Sequence, residues 1–226
     1  MSLATEIYQE IRVLTQHLTE ANICQENRFP ASASGPGGIV EVYPADSMDL
    51  SAALKNIPYG GTYAAVRNGR AYNMALLDGA MIHFRYLIRP AKKEIIKHTF
   101  SFWPSPRLLS SDRAPWIYED DEPFGDAVDE NGVLPVPIRF DFAPEQFVEH
   151  RHPRCHATFG QYPNCRIAVA GPVRPGLFLD FILRIFYRRE LSSLGGHFPF
   201  DYYDSKRSIT NSEAQAVLHF MVPRLV

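Results

Sequence analysis

Apolar positions recur at spacings of three and four near the start of the chain and at spacings of two through its middle. Ile7, Ile11, Leu14 and Leu18 would line one face of a helix over 3–23. From Thr62 the period changes. Thr62–Val66 runs into Asn68-Gly69, and Arg70–Leu77 runs into Asp78-Gly79. Both pairs read as two-residue hairpin turns, because Asn, Asp and Gly best tolerate the positive φ such turns require. Ala80–Arg89 and Glu94–Trp103 follow, joined by Pro90-Ala91-Lys92-Lys93, and strands linked in this way make a meander. Further strands are predicted at Val136–Phe142, 155–160 and 165–170, the last two joined by Gln161-Tyr162-Pro163-Asn164.

The remaining elements are helices and loops. Pro175 suits the first turn of a long helix over 175–191, stopped by Gly195-Gly196. Its Phe178, Phe181, Ile182, Ile185 and Phe186 are expected against the apolar face of the sheet. A loop of small residues is read at 30–38, a short helix at 46–56, and a turn or short helix at Pro144–His150. An aromatic and charged loop at 197–209 precedes a helix over 212–221. The fold class is therefore α+β: an antiparallel meander of about five to seven strands with helices packed on one face. The expected organisation is one domain over 1–226. The helix 3–23 and the acidic loop 104–134 are its appendages.

Composition narrows the function classes. The 226 residues are 46% hydrophobic and 21% charged, which excludes a disordered or coiled-coil chain. A net charge of −2 excludes a basic field over the whole chain, although a local patch is compatible with it. Aromatics at 12% and 18 prolines suit a strand-rich domain. The N-terminal stretch lacks the basic and apolar regions of a signal peptide, and no run reaches the roughly 18 apolar residues of a membrane span. Three cysteines fit a reducing compartment. A cytoplasmic protein without membrane association is expected. Motifs for a P-loop, a GxSxG elbow or HExxH zinc are absent.

Alternation assigns residues to faces. His83 and Arg85, Lys97, Arg139 and Asp141, His156 and Thr158, and Arg166 all fall on one face of the predicted sheet. Phe84, Phe100, Phe140 and their neighbours fall on the other. A solvated antiparallel face is ordinary. This one departs from the ordinary in its three Arg, two His and single Asp, a segregated positive patch of the kind that binds phosphate.

The densest chemistry is Glu149-His150-Arg151-His152-Pro153-Arg154-Cys155-His156, with Cys165 close behind. A zinc site from His150, His152, His156 and the two cysteines is one reading. No metal is expected, because Cys155 and His156 would point to opposite faces and Cys24 falls with the first helix. Acid–base catalysis is the other reading: His156 paired with His152 or His83, Asp141 as orienting group, and Arg139, Arg166, Arg85, Lys97 and Thr158 as binding groups. This chemistry requires no cofactor when a ribose 2′-hydroxyl is the nucleophile.

His152-Pro153-x-x-His156-x-Thr158-x-Gly160-Gln161-Tyr162-x-Asn164-Cys165-Arg166-Ile167 resembles the signature of a bacterial family known only as domain of unknown function 2290. The likeness continues through Pro175 and Phe178-x-Asp180-Phe181-Ile182-Leu183-x-x-Phe186-Tyr187, and Arg139-x-Asp141 is similar to the family's preceding strand. Ala168 stands where the pattern has proline. The family implies no activity. A looser likeness is to small bacterial toxin-like proteins of the TumE type, which share a strand meander, an Arg/Asp strand and a downstream His pair. The leading expectation is a toxin-like or defence-associated protein acting on RNA or another phosphodiester. The alternative is a non-enzymatic interaction or nucleic-acid-binding subunit of a larger complex. Partners on these readings are RNA or DNA, and a protein docked through the acidic loop 119–130.

Overall fold

The computed structural model describes residues 1–48, 57–107, 136–162, 164–195 and 206–223. The acidic loop 119–130 lies outside them, as do residues 49–56 of the expected short helix and most of the loop 197–209.

Helix α1, Leu3–Glu20, starts where the Ser2 hydroxyl accepts from the Thr5 N–H. It ends in a Schellman closure. Asn22, at φ 56°, donates to the Thr19 carbonyl, and Ile23 donates to that of Leu18. The apolar stripe is almost wholly buried in the main core, with Ile7, Ile11 and Leu18 at 0% exposure, so the helix is integral to the packing.

Three short strands follow that the apolar pattern did not disclose: β1 (Cys24–Asn27), β2 (Pro30–Ser34) and β3 (Val40–Pro44). Cys24 thus sits on a strand and not on a helix. Most of the expected loop 30–38 is β2, which pairs with β3 through a turn at Pro36–Gly38. These strands bury only alternate residues or fewer, so no apolar run marks them.

The reading of Thr62–Val66 as a strand is corrected. Helix α2 spans Tyr59–Asn68, with Thr62 and Val66, four positions apart, buried on one face. Asn68-Gly69 therefore closes a helix and turns no hairpin. The left-handed residue is Arg70 at φ 56°, and Arg70 and Ala71 donate to the Arg67 and Val66 carbonyls in a second Schellman closure. Of the strand expected at 70–77, only β4, Met74–Leu76, forms.

Asp78-Gly79 does turn the chain into β5, Met81–Arg89, but within a three-residue loop. Gly79 donates to the Leu76 carbonyl and takes φ 86°, the type I turn plus left-handed residue that suits such loops. Strands β6 (Glu94–Trp103), β7 (Ile138–Phe142), β8 (Cys155–Phe159) and β9 (Ile167–Val169) extend the meander. The expected long helix is broken into α3 (Pro175–Phe186) and α4 (Arg188–Ser193). The break is Tyr187, at φ −135° and ψ 49°, whose hydroxyl donates to Asp78 at the hairpin turn. The helix expected over 212–221 is also shorter. Helix α5 covers Asn211–Ala216 behind a Thr210/Glu213 capping box, and β10, His219–Phe220, then pairs parallel to β9.

The fold is α+β. The sheet runs β1-β4-β5-β6-β7-β8-β9-β10, with β2 and β3 attached to β5 beside β4, and its pairs are antiparallel apart from β9–β10. Helices α1 and α3 cover one face. Phe178 of α3 meets the rings of Phe84, Phe100 and Phe140 at 5.9, 5.5 and 5.6 Å, contacts worth about 0.5–1.5 kcal/mol each beyond their burial. Not all of the expected stripe is covered. Phe178 and Ile182 are buried and Phe181 is half-buried, but Ile185 and Phe186 are 60% and 46% exposed. Glu10 of α1 pairs with Arg174 at 2.6 Å and accepts from the Gly176 N–H, tying the two helices together. On the other face, α2 covers only one end, where Val66 packs with Met81, Ala75 and Trp103. Among the described residues, the rest of that face is left open.

Candidate functional site: a cationic groove on the open sheet face

The register of β5 to β8 decides what the open face carries. Arg85 lies opposite Thr99, Thr99 opposite Asp141, and Asp141 opposite His156, so one cross-strand row joins four strands. The next row is His83, Ser101, Arg139 and Thr158. The alternation read from the sequence holds here, although the Asn68-Gly69 turn does not. The strands pair directly, and a register slip of one residue would have exchanged the faces.

A groove of about 530 Å³ runs over these rows between the sheet and α2. Eight of the nine residues proposed from sequence line it: His83, Arg85, Lys97, Arg139, Asp141, His152, His156 and Arg166. Thr158 lines a smaller adjoining pocket that shares Arg139 and Trp103 with the groove. Among the described residues, four cations of the groove face two carboxylates, Asp141 and Glu41. Glu41 was not anticipated. It comes from β3, a strand without a marked apolar pattern, and Arg85 Nε donates to it at 2.6 Å.

The acid–base candidates cluster at one end. Arg139 Nε donates to Asp141 Oδ2 at 2.7 Å, and His156 Nε2 stands 3.8 Å from the same oxygen. His156 Nδ1 is 3.1 Å from the Pro153 carbonyl. A carbonyl only accepts, so Nδ1 carries the proton and Nε2 offers its lone pair in the neutral ring. The His152 ring stands edge-on to His156 at 4.9 Å between centroids. His83 is separate. It lies on β5, three strand spacings from β8, which is about 14 Å. It cannot serve the same phosphorus as His156.

The chain matches the family described as an uncharacterized conserved protein (DUF2290) over residues 23–222. It belongs to that family. No curated protein and no solved structure matches it.

Burial sets the charge states of the histidines in this DUF2290 protein. His156 is 3% exposed, and desolvation lowers its pKa against the opposing pull of Asp141. His152 is lowered by partial burial and by Arg166. His83 is pushed down to about 4 by desolvation and by Arg85. All three are neutral near pH 7 without a ligand, and an approaching phosphate would favour their protonated forms. Cys155 is buried in the main core on the apolar face while His156 lines the groove, so the two do point apart, and burial pushes the Cys155 thiol well up. Among the described residues no three His, Cys, Asp or Glu side chains come together as a metal-holding group. His150 is drawn away from the cluster by Ser212 at 3.0 Å. Also among the described residues, no helix is long and apolar enough to cross a membrane.

Proposed function

We propose that the groove binds the phosphodiester backbone of RNA and that the His152/His156 end cleaves it without a metal. The observation that carries this reading is the convergence of four cations with a histidine pair, His156 buried and His152 half-buried, and Asp141 in one open groove. Arg166 and Lys97 supply charge for phosphate, and Arg139 is exposed enough to swing toward an anion while Asp141 holds it. In the reaction His156 Nε2 accepts the proton of a ribose 2′-hydroxyl as that oxygen attacks phosphorus. Asp141 stabilises the imidazolium so formed. Protonated His152 gives its proton to the departing 5′-oxygen, and the products are a cyclic phosphate and a free 5′-hydroxyl. The pattern shared with TumE-type proteins supports a toxin-like or defence-associated setting.

A second reading is a binding subunit without catalysis. It is favoured by the ion pairs that already engage Arg85 and Arg139 and by the depth of His156. Fluorescence anisotropy with single-stranded RNA and DNA, together with cleavage assays, separates the two. The cleaving reading expects His156→Ala to bind normally and not cleave. Binding without cleavage by the unaltered protein supports the subunit. Absence of both in the unaltered protein overturns the phosphodiester reading.

A further inference from the structure

We propose that the smaller pocket beside the groove is a nucleobase subsite, which holds the base attached to a phosphate bound at Arg139. The inference rests on the phosphodiester reading and deepens it by naming what lies next to the phosphate. The pocket measures about 280 Å³ and is lined by Trp103, Tyr162, Gln161, Thr158 and Arg139. That is near the lower limit of small-molecule sites and suits one planar ring better than a larger ligand. Arg139 and Trp103 belong to the pocket and the groove together, so a nucleotide could place its phosphate in one and its base in the other.

Each part has the chemistry of base recognition. Tyr162 is 76% exposed, an aromatic ring left in water beside a cationic groove. Its position depends on Gly160, which takes φ 69° and whose added Cβ would lie 3.3 Å from the Tyr162 ring. Trp103 is steadied from behind by Tyr59, nearly parallel at 18° and 6.3 Å between centroids. Gln161 is exposed yet fixed. Its amide nitrogen donates to the Ile57 carbonyl and to Thr62 Oγ1, both at 3.2 Å. The Ile57 carbonyl can only accept, so the nitrogen must lie there, and Oε1 is left as an oriented acceptor. An acceptor in that place can receive the exocyclic amino group of adenine, cytosine or guanine, or the N3–H of uracil, so it recognises a base edge that an abasic strand lacks.

The test uses the full chain and labelled single-stranded oligonucleotides: oligo(A), oligo(C), oligo(U) and an abasic strand of equal length. Oligo(A) and oligo(C) are expected to bind about tenfold more tightly than the abasic strand. Tyr162→Ala should remove that advantage and leave abasic binding unchanged. Gln161→Ala should weaken binding of oligo(A), oligo(C) and oligo(U) and leave abasic binding unchanged. Tyr162 is exposed, so its replacement should not disturb folding, and a melting curve checks this. Equal binding of base-bearing and abasic strands, unmoved by Tyr162→Ala, overturns the subsite and leaves the phosphodiester groove standing. Failure of every strand to bind overturns both.

Discussion

Asp141 and His156 face each other across the β7–β8 ladder, with Oδ2 3.8 Å from Nε2, and Arg139 holds the same carboxylate oxygen at 2.7 Å. Burial lowers the His156 pKa and Asp141 raises it, with burial the stronger. Asp141→Asn should therefore move the His156 titration further below 6.5. Histidine proton resonances followed by NMR across pH 4–8 would show the shift. An unchanged His156 titration would mean that Asp141 does not act on it.

Protonation of the groove histidines adds positive charge, and His152 and His156 both titrate below their ordinary value. Nucleic-acid binding is expected to tighten as the pH falls below about 6.5 and to level off above it. Arg166→Ala should weaken binding and reduce the slope of log affinity against log salt by about one contact. Binding measured at several salt concentrations, at pH 7.5 and 5.5, checks both.

His98 lies on the apolar face at 0% exposure, stacked on Phe100, and its Nε2 accepts from the Val173 N–H. Burial pushes its pKa down to about 3, and that of His83 to about 4, from 6.5. The folded chain thus binds fewer protons than the unfolded chain in that window. Stability is fully present above about 6.5 and is lost as the pH falls toward 4 and below, by on the order of a few kcal/mol for His98. His98→Gln keeps an acceptor for Val173 and should flatten this dependence. Urea midpoints at pH 7 and pH 4.5 would decide.

Two residues on one helix should behave differently. Phe178→Ala opens a cavity among Phe84, Phe100 and Phe140 and should cost about 3–5 kcal/mol. Ile185→Ala, at a position 60% exposed, should change stability by about 0.5 kcal/mol or less. Denaturant titrations of the two variants give the comparison.

Arg70 occupies the left-handed position that ends α2, where a side chain is strained. Arg70→Gly should raise stability by about 1 kcal/mol, whereas Gly69, at φ −76°, has no such requirement. Thermal melts of the variant would test this placement of the helix end.

Much of the candidate site was legible because it lies on regular strands. Period-two alternation alone put His83, Arg85, Arg139, Asp141, His156 and Thr158 on one face, since a strand's side chains have no other choice. The amphipathic stripe of α1 was equally plain, because Ile7, Ile11, Leu14 and Leu18 mark a period that only a helix satisfies. Local pattern failed where long-range contacts decide. Asn68-Gly69 suits a hairpin as well as it suits a helix end, and Val66 packing on Met81 and Trp103 selected the helix. Strand β1 is held by backbone pairing to β4, β3 by pairing to β5 and β2 by pairing to β3, and with so few buried side chains they carry no apolar run to mark them. Glu41 reaches Arg85 across 44 residues of sequence, and Gln161 reaches Ile57 across 104. The sequence by itself determined the faces of the strands. Only the tertiary structure decided which residues share a groove, because that depends on strand order and register, and those are set by packing between distant segments.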